Sequence, residues 1–314
     1  MSPAPDMPSD PAMDAAAPVA RPVTLGKTRP FYWSLRRELW ENRSVYLAPL
    51  AVAGVVLFGF LLGALHLVNS VRAASAPNAP HRAIVVLALP YDIAAGAVLV
   101  TGLIVSIFYC LGALHGERRD RSILFWKSLP VSDLTTVLSK VAIPLAIVPL
   151  VVFPVVLTTH LAMLALSAVI LLASGLDPAA PWNHVPLGMM WLSMPYGLVI
   201  LALWYAPICG WLLLVSAWAR RVPILWALAP PLGLSLFEFL AFRTRYIWSL
   251  LDYRLQGGFA QAFTVGGQGK AEVTQLSQLD PLRVLGLPGL WAGLVFAAAC
   301  FAACVWLRRR RDPI

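Results

Sequence analysis

Charge is what this chain has least of. Asp, Glu, Lys and Arg together make 12% of its 314 residues, against about a quarter in an ordinary soluble domain. Hydrophobic side chains make 59%. A single water-soluble core of this size cannot hide so much apolar surface, so a soluble globular fold is excluded and a bilayer is the expected solvent. Cysteine is scarce too. Cys110, Cys209, Cys300 and Cys304 all lie inside apolar stretches, which excludes a disulfide framework. Cys300 and Cys304 share a helix face but have no His or carboxylate nearby in sequence, so they read as small packing residues.

Catalytic signatures are also missing. There is no H-E-x-x-H and no G-x-S-x-G, and the five histidines are scattered. Gly26-Lys27-Thr28 resembles the end of a phosphate-binding loop. That loop needs glycine at position 21, where Arg21 stands, and a buried strand before it rather than a Pro-rich tail. No enzyme activity is expected of the chain itself, and no cofactor or metal. The net charge of +9 raises nucleic acid as a partner. The basic residues flank apolar runs, however, so they report membrane orientation instead.

What is present is a series of six apolar runs, near 47–68, 93–114, 141–173, 196–218, 222–242 and 287–307. Each is long enough to cross about 30 Å of hydrocarbon at 1.5 Å per residue. The expected fold is all-α and polytopic, with six transmembrane helices. The third run is over-long. It is either one helix bent by Pro144, Pro149 and Pro154 or two short spans turning near Thr158, Thr159 and His160. Basic residues favour six spans with both termini cytoplasmic. That arrangement puts most of the 24 Lys and Arg residues inside, including Arg220-Arg221 and the run Arg308 to Arg311 hard against span ends.

Residues 1–29, rich in Pro and Ala, read as a disordered cytoplasmic tail ahead of a membrane domain over 30–314. From 31 to 45, Phe31, Leu35 and Leu39 share one helical face, with Ser34, Arg37, Glu38 and Glu41 opposite. Trp33 and Trp40 sit at the border, beside Arg36. This predicts a helix lying on the membrane surface, with Trp33, Arg36, Arg37 and Trp40 as its interfacial residues. The far segments 69–92, 174–195 and 243–286 are expected outside, the last with one or two short interfacial helices.

Two intramembrane polar residues stand out. Glu238, near the outer end of the fifth run, either lines a substrate path or pairs with Arg243. His160 either makes a structural hydrogen bond or faces the same path.

The most informative stretch follows the second run: His115-Gly116-Glu117-Arg118-Arg119-Asp120-Arg121-Ser122-Ile123-Leu124-Phe125-Trp126-Lys127-Ser128-Leu129-Pro130-Val131-Ser132-Asp133, continuing to Lys140. It predicts a short helix carrying an apolar and aromatic knob, stopped by Pro130, with Ser132 capping the next helix. Such a knob suits a partner's groove. An acidic residue, basic residues, an apolar helix, Leu-Pro-Val-Ser and a later Lys together resemble the permeases of ABC-2 type transporters. The surface "elbow" helix, the six runs and the long fifth-to-sixth segment are similar in order and size.

The resemblance implies that the loop is a coupling helix, with Glu117, Arg121, Phe125, Trp126, Leu129 and Pro130 meeting a separate ATP-binding cassette ATPase, which would bind ATP and Mg. It implies a second permease chain, identical or sister, and membrane lipid as the other partners. The expected location is a cell membrane, the bacterial cytoplasmic membrane. The expected activity is ATP-driven export by alternating access. The competing expectations are a non-transporting anchor or sensor subunit and, behind it, a membrane-embedded enzyme.

Overall fold

A computed structural model describes residues 28–76, 81–120, 131–263 and 281–310. All regular structure among the described residues is helical. Six helices are long and apolar enough to cross a membrane, as a multi-pass protein requires. In chain order the elements are α1 (Thr28–Glu41), α2 (Ser44–Leu62), α3 (Ala64–Ala74), α4 (His81–Arg119), α5 (Asp133–Ala142), α6 (Val148–Ala173), α7 (Ala180–His184), α8 (Leu187–Trp218), α9 (Pro223–Phe242), α10 (Tyr246–Phe263), α11 (Pro281–Leu285) and α12 (Pro288–Arg310). The spans are α2, α4, α5 with α6, α8, α9 and α12. An even number of crossings puts the start of α2 and the end of α12 on one side, called here the terminal face.

The third run is one helix. α5 and α6 are continuous through a π-helical turn at Ile143–Ile147, giving 41 residues from Asp133 to Ala173. Pro144 lies in that turn, where the wider winding accommodates the missing donor. Thr158 and Thr159 do not make a turn. Their hydroxyls donate back to the Pro154 and Val155 carbonyls at 2.8 and 2.6 Å, inside the helix.

The first run is interrupted instead. α2 stops at Leu62, and Gly63 separates it from α3. The helix of the second run begins at His81 and its span at Val85, well before 93, with Pro90 accommodated within α4. The tail expected over 1–29 lies outside the described residues except at its last two, where α1 has already begun.

α8 is the central helix: two thirds of its apolar window is buried, against 11% for α9 and 17% for α2. Glycines set two close approaches. A Cβ at Gly210 of α8 would meet the Cys300 Cβ and Ala297 Cα of α12 at 3.2 and 3.3 Å, and one at Gly102 of α4 would meet Val152 Cγ2 of α6 at 2.8 Å. The largest apolar core lies towards the terminal face, around Val105, Leu114, Val137, Val152, Leu213 and Leu307. A second core joins α3, α4, α6 and α7 at the far face.

The segment after α9 returns onto the bundle as α10. Trp204 Nε1 and Tyr205 OH of α8 donate to the Arg254 and Leu255 carbonyls at 3.0 and 2.8 Å. The Arg254 guanidinium lies 4.7 Å from the Trp204 ring and donates to Gly289 O of α12. Gly257 and Gly258 permit this approach, since a Cβ on Gly258 would fall 2.7 Å from the Tyr205 ring. Gly258→Leu therefore overpacks the α8–α10 seam and is expected to cost about 1–3 kcal/mol, read as a lowered thermal midpoint in detergent. Gly233→Leu on α9, where a Cβ meets nothing within 4 Å, should leave the midpoint unchanged.

Candidate functional site

Charged side chains are rare in this chain, yet several are buried together where α1, α4, α5 and α12 meet. Glu38 of α1 is 1% exposed and Lys140 of α5 is 2% exposed, with their charges 2.9 Å apart. Glu117 of α4 accepts from Arg37 at 2.9 Å and lies 3.1 Å from Lys140. Its second oxygen takes a close contact from Arg308 Nη1 of α12. Arg308 Nε donates to Asp133 Oδ1 of α5 at 3.0 Å, and Tyr109 OH donates to Glu38 Oε2 at 2.8 Å.

Three carboxylates (Glu38, Glu117, Asp133) thus meet three cations (Arg37, Lys140, Arg308), and the cluster is neutral in sum. Neutrality with near-complete hydrogen bonding is what makes burial tolerable, because each unpaired ion would cost several kcal/mol in desolvation. Glu41 stands at the rim, 3.4 Å from Arg37 and half exposed. Partial burial raises its carboxyl above the ordinary range, against the opposing pull of Arg37.

The end of α4 also locks onto α8. Ser216 Oγ accepts from the backbone N–H groups of Leu114 and His115 at 3.1 and 2.9 Å. Arg118 Nη1 donates to Ala217 O at 2.7 Å and Ala219 O at 3.4 Å. A cation on the last carbonyls complements the negative end of the α8 dipole. Residues 114–118 therefore touch α1, α5, α8 and α12 immediately before the segment 121–130. On the other side of that segment, Ser132 accepts from Thr135 N at 3.1 Å and caps α5 as expected, and Asp133 and Lys140 belong to the cluster. The two helices that carry the loop are thus both anchored in one ionic hub.

Of the loop residues expected to meet a partner, Glu117 is in the hub. Arg121, Phe125, Trp126, Leu129 and Pro130 lie outside the described residues. α1 corrects the expected orientation of the surface helix. Arg37 and Glu38 belong to its polar stripe, yet they point into the protein, because the hub supplies counter-charges that water need not. Trp33, Arg36 and Trp40 face outward, with the Arg36 guanidinium 5.3 and 4.9 Å from the two indole rings.

Glu238 does not pair with Arg243. Its carboxylate accepts from Thr244 Oγ1, Tyr246 N and Ile247 N at 2.7, 2.7 and 2.8 Å, which caps the start of α10. His160 is 1% exposed and fully bonded. Trp191 Nε1 donates to its Nδ1 at 3.1 Å, so the ring proton sits on Nε2, 3.0 Å from the Tyr91 carbonyl. Both residues make structural bonds here, and among the described residues they are not brought together.

Glu38, Asp133, Lys140 and Arg308 are the members not named as site residues from sequence. Lys140 carried a signal: it directly precedes the longest apolar run, about two helical turns into α5, where an ammonium requires an acidic partner. No three His, Cys, Asp or Glu side chains among the described residues are grouped to hold a metal ion. No family model, no curated protein and no solved structure matches the chain.

Lys140→Met leaves three carboxylates against two cations, with Glu38 held by Arg37 and Tyr109 alone, and is expected to destabilise the fold by about 3–5 kcal/mol. Adding Glu38→Gln to that variant removes one uncompensated charge and should recover part of the loss. Thermal unfolding of the two variants in the same detergent compares them directly.

Proposed function

We propose that the chain is the membrane-spanning permease subunit of an ATP-binding cassette exporter of the ABC-2 type. A separate ATPase subunit would bind ATP and Mg and dock on the loop over 121–130. The observation that carries this reading is the hub. Both helices bearing the loop, α4 and α5, are tied through Glu117, Asp133 and Lys140 to α1 and to the last span. A motor working on a membrane protein from outside must push on an element that does not bend locally, and a segment whose two flanking helices share a buried ionic hub meets that need.

The outward Trp33–Arg36–Trp40 face of α1 suits a helix lying at the headgroup level, as an elbow would. The basic run ending α12 and the pair Arg220-Arg221 suit a cytoplasmic terminal face in a cell membrane, the cytoplasmic membrane of a bacterium. In this reading two permease chains, identical or sister, pair with two ATPases. Closure of the ATPases on nucleotide drives the spans between inward-open and outward-open arrangements. The sparse partnering of α2 and α9 within one chain leaves area for a second permease and for lipid.

The test is recovery of the ATPase. The tagged full chain, solubilised from the membranes of its own cell, should bring down a nucleotide-hydrolysing subunit. The double variant Trp126→Ala, Leu129→Ala should lose it while keeping its thermal midpoint. A chain that recovers no ATPase under conditions where it stays folded contradicts the reading and leaves a non-transporting anchor or sensor subunit in its place.

A further inference from the structure

A cleft of about 540 Å³ opens between α2–α3 and α4, within the range of small-molecule sites. Its walls are Val56 and Phe60 of α2 and Val86, Leu89 and Ile93 of α4, and its floor is the fully buried Met163 of α6. At 1.5 Å per residue, Gly59 lies about 22 Å along the chain from Ser44, in the far half of a hydrocarbon layer about 30 Å thick. His66 falls near the far headgroup boundary by the same measure. Water is excluded from most of this depth, and a hollow left empty would forfeit dispersion contacts along its whole lining.

Two features say what fills it. The first is the bare wall. Gly59 lines the cleft, and a Cβ added there would meet nothing within 4 Å. Glycine costs about 1 kcal/mol against alanine inside a helix. Helix packing does not require it at this position, and its effect is to keep the cleft open.

The second is the polar end. His66 and Ser70, one turn apart on α3, line the same cleft. Neither side chain has a hydrogen-bond partner among the described residues. Other helical serines in this chain bond back to the carbonyl one turn earlier: Ser106 to Gly102, Ser167 to Met163 and Ser174 to Ile170. Ser70 does not, so its hydroxyl stays available beside the His66 imidazole. An apolar shaft open to hydrocarbon, ending in a free hydroxyl and an imidazole at headgroup level, is complementary to an amphiphile.

We propose that the cleft binds one acyl chain of an amphiphilic lipid, with His66 and Ser70 hydrogen-bonding the oxygens of its headgroup. The site requires only that the chain sit in a bilayer, so its test is independent of any ATPase.

The full chain is placed in nanodiscs containing a phospholipid with a photoactivatable diazirine near the end of one acyl chain, irradiated and digested. Labelling should concentrate on the segments around Val56–Phe60 and Val86–Ile93. Gly59→Phe, whose Cβ meets nothing within 4 Å and whose ring would occupy the cleft, should reduce that labelling severalfold. Gly54→Phe, on the same helix and equally open, should not. An alkane without a headgroup should compete less well than a headed amphiphile of equal chain length, and His66→Leu with Ser70→Ala should abolish that difference. Competition by unlabelled phospholipid within the disc is the result expected of a bilayer lipid, and competition by a lysolipid added from solution, with none by phospholipid, overturns it. Labelling spread evenly over the lipid-facing helices, or unchanged by Gly59→Phe in a protein that keeps its thermal midpoint, overturns the proposal.

Discussion

Six charged side chains gathered where α1, α4, α5 and α12 meet, four of them buried, constrain this molecule more than any apolar contact does. Hydrophobic packing between spans is weakly selective, because lipid tails are as apolar as the side chains they replace. Charge is selective. Glu38 and Arg37 come from α1, Glu117 from α4, Asp133 and Lys140 from α5, and Arg308 from α12, and no two of these helices satisfy one another fully. The cluster closes only when residues as far apart in sequence as Glu117 and Arg308 meet. A misplaced helix would leave an uncompensated ion in a poorly solvated site, at a cost comparable with the net stability of a domain. Burial of these ions is therefore better understood as fixing which arrangement forms than as adding net stability.

The same constraint shapes the mechanical properties of the terminal face. The ends of α4 and α5 cannot tilt separately without breaking contacts to α1 and α12, and Arg118 adds the end of α8 to the assembly. Immediately beyond Lys140 the helix widens into the π turn at Ile143–Ile147, a local departure from regular winding that is often found at functional positions. Stiff hub and adaptable turn are adjacent. Under the proposed function, displacement of the loop would move the hub as a body and be absorbed by rotation of α6 about that turn. The far face carries aromatic and single polar contacts such as Trp204–Arg254 and His160–Trp191.

Much of the architecture was readable from sequence because the bilayer imposes it. Long apolar runs between basic clusters gave the number of spans, and Ser132 gave the start of α5. Boundaries were less readable where helices outrun the hydrocarbon. α4 begins at His81 because a helix that outruns the hydrocarbon need not stay apolar, so hydropathy alone marks its start too late. Gly63 was hidden inside a run that remained apolar on both sides of it. The site was legible only in part. Glu117 stood out beside the segment 121–130, but its partners are spread over three other helices, and pairings between distant residues leave no local pattern. The polar stripe of α1 has the spacing of a water-facing surface, and only the counter-charges on α4 and α5 turn it inward. Glu238 looked like a path residue or a surface ion pair, and its role as a cap depends on the tight αL turn at Arg243 that brings α10 under it.

The account rests on α1, α4 and α5 behaving as one body at the terminal face. Spin labels at the exposed positions Glu41 and Arg119, on the purified chain together with the ATPase it is proposed to bind, measure this by pulsed electron spin resonance. One narrow distance distribution, the same without nucleotide and with ATP trapped, is the result predicted. A distribution that broadens or shifts between the two states, in a complex that still hydrolyses ATP, would contradict it.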